Sequence, residues 1–294
     1  MTDPQLPAVL SERRQLVNLA YRLLGSLAEA EDVVQETYAR WYALTERQRR
    51  EVAAPGAWLT TVAGRICLDL LGSARARREQ YVGEWIPEPV PGRSAWVDGP
   101  APADPADRVT LDESISMAFL VVLESMTPAE RVAFVLHDVF RYSFAEVAEI
   151  VGRTPAACRQ LASSARRRVD TARVVPNPRR AEVVRDFKKA WETGDIEALI
   201  GLLDPGATAT ADGGGRAATF PEPIHGGEQI AHTLARVAAH VGTLRLLERT
   251  VNGQPGLVAE DGGRIVSVYA FDIVGDRITR VWVIRNPEKL RAWS

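Results

Sequence analysis

Between Val151 and Arg180 the chain carries eight arginines against one acid, Asp170. Five of them, Arg153, Arg159, Arg166, Arg167 and Arg168, fall in or just ahead of "TPAACRQLASSARRRV", interleaved with Gln160, Ser163 and Ser164. These groups bind; they do not make or break bonds. Guanidinium forks match phosphate oxygens and base edges, and Ala156 and Ala157 keep the backbone bare enough for close approach in a major groove. The arginine run at the far end suits phosphates better than bases, and it also complements a helix C-terminus. Groups fit for proton transfer are sparser. His137 is the only histidine in the first 175 residues, and its setting in "FVLHDVFRYS" reads as structural. Asp212, His225, His232 and Asp272 are the acid–base groups further on. Catalysis by them needs hydrogen-bond reach and a shifted pKa, and Asp272 in the alternating "VYAFDI" can face a cavity or solvent. Cys67 and Cys158 lie far apart in helical contexts, which argues against a disulfide framework or a metal site. No metal or cofactor is expected.

The elements that must position the arginines are marked by their caps. "TPAE" (Thr127 to Glu130) and "SFAE" (Ser143 to Glu146) both fit a capping box, and Thr154-Pro155 supplies an N-cap followed by proline at the first helical position. The last two starts are eleven residues apart with Gly152 between them. That spacing predicts a short helix, a tight turn and a second helix: a helix-turn-helix. Ala148 falls where the helices cross, Gly152 where a positive φ is required, and Val147, Val151, Cys158 and Leu161 provide the apolar contacts. This motif sits in a helical block over about 111–174. Another block covers 6–80, where apolar residues recur at three and four residue spacing, with Gly25 and Pro55-Gly56 as punctuation. Between the two lies "YVGEWIPEPVPGRSAWVDGPAPADPADR" (Tyr81 to Arg108), with six prolines, two tryptophans and no regular period. After "VVPNP" (Val174 to Pro178) the character changes to one helix, Gly-rich loops and segments such as "RIVSVYAFDIVG" and "RITRVWVIRNP", whose period of two predicts strands.

The first block has its own polar stripe. In "LGSLAEAEDVVQETYARWYAL" (Leu24 to Leu44), Val34, Tyr38, Trp41 and Leu44 form an apolar face, and Asp32, Gln35, Glu36 and Arg40 a polar one. Alone, that is a solvated helix. Together with the helix-turn-helix, "AEDVVQET" resembles the polymerase-binding helix of bacterial sigma factors of the extracytoplasmic-function (ECF) group. The resemblance implies that a region 2 helix docks on the β′ clamp helices of RNA polymerase core through Asp32, Val33, Gln35 and Glu36. It implies that the loop over Arg47 to Ala57 and the helix after it melt and read the −10 element, with Arg65, Arg75, Arg77 and Arg78 on the DNA backbone. Region 4 then reads the −35 element with Arg153, Thr154, Ala156, Ala157, Arg159, Gln160, Ser163, Arg166 and Arg167, and meets the polymerase β flap. A one-component repressor would have no use for such a polymerase-binding helix.

The chain continues for over a hundred residues beyond that group's simple members. "RDFKKAWETGDIEALIGLL" followed by strands resembles the SnoaL-like fold, an α+β cone with a curved, mostly antiparallel sheet around an apolar cavity. ECF sigma factors with such a fused domain form a subgroup with three phrases, matched here by "WIPEP" (Trp85, Ile86, Pro87, Glu88, Pro89), "DGGGR" (Asp212, Gly213, Gly214, Gly215, Arg216) and "NPEKL" (Asn286, Pro287, Glu288, Lys289, Leu290). The expected architecture is multidomain: two all-α sigma domains over 1–80 and 111–175, a Pro-rich linker over 81–110, and the SnoaL-like module over 179–294. The expectation is that the linker, anchored by Trp85, packs against the "DGGGR" and "NPEKL" segments. The module would then regulate initiation in cis. A small-molecule ligand in the cavity and a residual acid–base enzyme remain alternatives. The composition, 46% hydrophobic and 25% charged with a net charge of −2, is ordinary for a globular chain. "MTDPQLPAVLSERR" lacks an apolar run fit for a signal peptide, so a cytoplasmic protein with promoter DNA and polymerase as partners, and no membrane contact, is expected.

Overall fold

The computed structural model describes residues 12–79, 81–92, 115–170, 178–240 and 244–293. The chain divides into two compact units. The first holds Met1–Glu79, Ala95–Ser114 and Val122–Ala172, and the second holds Gln80–Ser94, Ile115–Val121 and Arg173–Ser294. The expected linker thus belongs, in its described part, with the C-terminal module. None of the described helices is long and apolar enough to cross a membrane.

The first unit begins with α1 (Arg13–Leu24), α2 (Leu27–Ala43), α3 (Glu46–Glu51) and α4 (Pro55–Glu79). Leu16, Leu19, Ala20 and Leu23 recur at helical spacing on α1 and are buried. Gly25 ends α1 in the left-handed region (φ 70°), donating its N–H to the Tyr21 carbonyl. Ser26 then caps α2 by accepting from the Glu29 N–H. Trp41 of α2 meets Trp58 of α4 edge to face, with ring centroids 5.2 Å apart. The same unit contains the end of α5 (Met117–Glu124), α6 (Pro128–Phe134), one π-helical turn (Val135–Val139), α7 (Phe144–Val151) and α8 (Pro155–Asp170). Both capping boxes form as expected, at Thr127 with Glu130 and at Ser143 with Glu146.

The second unit is an open six-stranded sheet with helices. Its elements are α9 (Arg180–Thr193), α10 (Ile196–Leu202), β1 (Leu203–Asp212), β2 (Ile224–His225), α11 (Gly227–His240), β3 (Arg245–Val251), β4 (Gln254–Asp261), β5 (Arg264–Val274) and β6 (Arg277–Ile284). The strand order is β2-β1-β6-β5-β4-β3. Among the described strands, only β1 and β6 pair in parallel. Alternation along β5 sends Tyr269, Phe271 and Ile273 to the face that carries the helices, where Phe187 and Trp191 of α9 pack on them. Val268 and Ala270 point to the other face. Strands usually leave that face to water, but here Ile86, Met117, Ala118 and Leu290 cover it. Both faces of β5 are therefore buried.

Candidate functional site

The helix-turn-helix is built as its caps foretold. Gly152 lies at φ 68° and closes α7 onto the Ala148 carbonyl. The Thr154 hydroxyl accepts from the Ala157 N–H at 3.2 Å. Val147, Val151 and Cys158 are buried between the helices, whereas Leu161 is only half-buried; Ala162 and Ala165 are fully buried. Small side chains let α8 approach its neighbours closely, and a longer Leu161 lies at the margin. On the open side, Arg153, Thr154, Ala156, Arg159, Gln160, Ser163 and Arg167 are exposed and Ala157 is half-buried. Arg166 differs: its Nε and Nη2 bond the two carboxylate oxygens of Asp138 at 2.6 and 3.2 Å. Arg168 is similarly tied, to the Ser125 carbonyl and to Glu130.

On α2 the polar stripe is exposed as expected at Asp32, Gln35 and Glu36, with Arg40 paired to Glu36 at 2.8 Å. Val33 does not belong to that surface. It is 1% exposed and packs in the core of the first unit, so its side chain offers no contact in this conformation. The reason is helical geometry: Val33, Val34, Thr37 and Trp41 turn inward together, at spacings of three and four.

Within the first unit, α4 and α7 touch directly. A Cβ built on Gly64 would lie 2.8 Å from Ile150 Cγ2. Arg65 donates from Nη2 to the Glu149 carbonyl at 2.9 Å. The Tyr142 hydroxyl donates to Thr60 at 2.8 Å and accepts from Gln15. Arg131, which the sequence did not single out, reaches from α6 to the Leu23 carbonyl and to Glu124, each at 2.8 Å. Burial pushes the Arg131 pKa down to about 9. The side chains of Arg75, Arg77 and Arg78 lie outside the described ones, as do the linker residues from 93 to 114.

The second unit brings the three short phrases together. Asp212, at the end of β1, is fully buried. Its Oδ1 accepts from the Tyr81 hydroxyl at 2.7 Å and the Gly214 N–H at 3.0 Å. Its Oδ2 accepts from the Ile86 N–H at 3.1 Å and from Lys289 Nζ at 2.7 Å. Lys289 also donates to the Ile86 carbonyl and lies 4.1 Å from the Trp85 ring centroid, a cation–π contact. Asn286 donates to the Tyr81 hydroxyl at 2.8 Å. Burial, then the Asp212 carboxylate, raises the Tyr81 pKa well above the phenol's usual value. Further along the linker, Val90 and Asn252 exchange two hydrogen bonds, Val90 N–H to Oδ1 and Asn252 N–H to the Val90 carbonyl. Pro91 bridges to Val251, and Trp293 Nε1 donates to the Pro89 carbonyl at 2.9 Å.

Within "WIPEP" the apolar anchor is Ile86, not Trp85. Ile86 is 2% exposed in the cluster with Val258, Val268, Trp282 and Ile284, while Trp85 stays half-buried. Pro87, Glu88 and Pro89 are buried beside it, and Leu290 closes the cluster. The glycines of "DGGGR" are a spatial necessity. A Cβ on Gly214, which sits at φ 59°, would lie 2.3 Å from Asn286 Nδ2, and one on Gly213 would lie 2.2 Å from the Ala217 carbonyl oxygen. Gly215 leaves room for Val82, Pro287 starts the closing turn whose carbonyl accepts from Leu290, and Arg216 pairs with Glu288 at 3.0 Å on the surface. Asn252, which no motif flagged, could have been found only as a non-glycine residue forced to positive φ (50°) in the β3–β4 turn "VNGQ".

The acid–base candidates are not brought together. Asp212 is occupied by the linker, and His225 and His232 are exposed on β2 and α11. Asp272 shares the linker-side face of β5 with Val268 and Ala270 and lines a small recess with Arg180 and Gln254.

Comparison with known proteins matches two stretches of the chain to family models, Sigma-70 region 2 over residues 8–77 and Sigma-70 region 4 over 116–169. The chain is similar to the ECF RNA polymerase sigma factor SigJ of Mycobacterium tuberculosis, 38% identical over 94% of this chain and 90% of that protein. It is 35% identical to the probable ECF RNA polymerase sigma factor SigI of the same species, over 98% of this chain and 95% of that one. The crystal structure of M. tuberculosis SigJ superposes with a TM-score of 0.75, at 35% identity over 98% of both chains.

Proposed function

Because this chain belongs to the ECF RNA polymerase sigma factors and so serves promoter-directed initiation, we propose that its C-terminal module restrains that activity in cis by holding the linker. The observation that carries this reading is the capture of residues 81–92 by Asp212, Lys289, Asn286 and Asn252. An extended chain spans at most about 3.6 Å per residue, so sequestering these twelve residues removes roughly 40 Å of reach between the two DNA readers. Promoter elements named −10 and −35 are about 25 base pairs apart, or roughly 85 Å of duplex. Readers in contact through Gly64 and Ile150 cannot serve both. On this reading initiation needs both release of the linker and separation of α4 from α7, which frees Arg65 for DNA.

In the released state, Asp32, Gln35 and Glu36 dock on the β′ clamp helices and α8 reads the −35 element beside the β flap. Tethering gives the restraint a high effective concentration without high intrinsic affinity. The test is promoter-dependent transcription in vitro with bacterial core polymerase, on templates selected from a randomised library by the holoenzyme. Full-length Ile86→Glu places a charge in the apolar cluster and undocks the linker. Its initiation rate is expected to exceed that of the unaltered chain at least severalfold. An equal or lower rate, with the linker shown to be released by protease sensitivity, would overturn the regulatory reading.

A further inference from the structure

One face of the reader helix carries a feature that neither the family match nor the motifs assign. Arg159 is exposed on the second turn of α8, and its Cζ lies over the ring of Phe144 at 5.2 Å from the centroid. Phe144 is the first residue of α7. Its other neighbour is His137, whose imidazole stacks on it with centroids 3.8 Å apart and planes 24° apart. His137 is itself fixed: it sits in the π-helical turn, and its Nδ1 lies 2.7 Å from the Tyr142 carbonyl oxygen. A carbonyl only accepts, so Nδ1 carries the proton. The result is a column from the π turn through His137 and Phe144 to the guanidinium of Arg159.

The arginines of this block divide accordingly. Arg166 and Arg168 are each paired with a carboxylate, which takes up part of their charge and of their N–H donors. Arg159 is held by an aromatic face, which takes no N–H donor. A guanidinium restrained in this way keeps its hydrogen-bonding fork for bidentate contact with a base edge, and it has already lost much of the rotamer freedom that binding would otherwise freeze. We infer that Phe144, backed by His137, is a positioning residue that presents Arg159 to a base of the −35 element and so sets specificity there. The inference rests on the reading of α8 as the −35 recognition helix.

An exposed cation–π contact corresponds to about two- to fivefold in affinity. The experiment is selection of promoter duplexes from a randomised library by holoenzyme assembled from core polymerase and the full chain. The chain would be unaltered or carry Arg159→Ala, Phe144→Leu, Phe144→Tyr, or Arg159→Ala with Phe144→Leu. Arg159→Ala is expected to erase preference at one or two upstream positions. Phe144→Leu should weaken preference at those same positions about two- to fivefold, Phe144→Tyr should retain it, and the double variant should match Arg159→Ala alone. Phe144→Leu leaving those preferences intact, or weakening binding to all sequences equally with a lowered melting temperature, refutes the positioning role. Arg159→Ala leaving upstream preference unchanged refutes instead the reading of α8 on which the inference stands.

Discussion

Asp212→Ala is the most informative single change in the linker contact. The carboxylate is fully buried and accepts four side-chain-directed hydrogen bonds, two of them from the linker, Tyr81 and the Ile86 N–H. Removing it leaves Lys289, whose side chain is only 10% exposed, as a buried cation without its partner. Breaking a buried ion pair from one side costs about 3–5 kcal/mol. Lys289 keeps the Ile86 carbonyl and the Trp85 ring, which places the expectation at the lower end. About 3 kcal/mol corresponds to a factor on the order of 10² in the docking equilibrium. Hydrogen exchange of backbone amides reads that factor directly. The Ile86 amide loses its own acceptor, so its acceleration is uninformative. The Val90 amide is the reporter, because it bonds Asn252 and not Asp212. If the linker docks as a unit, Val90 should exchange on the order of 10²-fold faster, while amides within α9 keep their protection. A Val90 amide that stays protected while the melting temperature falls would show that Asp212 only supports its own strand end, and the linker would not be held cooperatively.

Two further outcomes follow from the same geometry. The Tyr81 phenol is favoured in its protonated form by burial and by Asp212, so its folded pKa lies above the ordinary value of 10.0. Its contribution to linker docking should be fully present below pH 10 and be lost as pH climbs through the raised value; linker proteolysis followed against tyrosinate absorbance checks this, and loss beginning near neutral pH contradicts it. Asp32→Ala with Glu36→Ala removes two exposed carboxylates of α2, so stability should change by less than about 0.5 kcal/mol per site while binding to core polymerase is lost, as measured by co-migration with core.

How much of this was legible in the sequence depends on whether the physics is local. The boundaries of the helix-turn-helix were readable because capping boxes, an N1 proline and a left-handed glycine act within four residues of themselves, at Thr127, Ser143, Thr154 and Gly152. Strands β5 and β6 were readable from their alternation. Partnerships across the chain were not. Nothing in "AEDVVQET" says that Val33 faces inward until α1 and α4 are packed on α2. Arg166 belongs to Asp138 only because the π turn brings that carboxylate under α8. The "WIPEP" phrase drew attention to its tryptophan, the largest apolar side chain, yet the shape of the sheet face selected Ile86. A branched residue of that size fits between Val258, Val268 and Ile284, and Trp85 is better used as a lid over Lys289.

That division of labour explains why the contact mixes a buried ion pair with an apolar anchor. Apolar burial of Ile86 stabilises docking but fixes no register, since several residues of a Pro-rich segment could fill one hydrophobic recess. A buried pair adds little net stability relative to an apolar replacement, but it penalises every register that leaves it unpaired. Here Asp212 and Lys289 together claim both backbone groups of Ile86, its N–H and its carbonyl, so a slip by one residue would strand the pair and withdraw the anchor at once. Asn252 repeats the device at Val90 with the same double bond to one residue. Two registration points four residues apart are the reason to expect Val90 to open together with Ile86 when Asp212 is removed. The proposed restraint in cis depends on that outcome, because a linker that slid would give graded reach instead of two states.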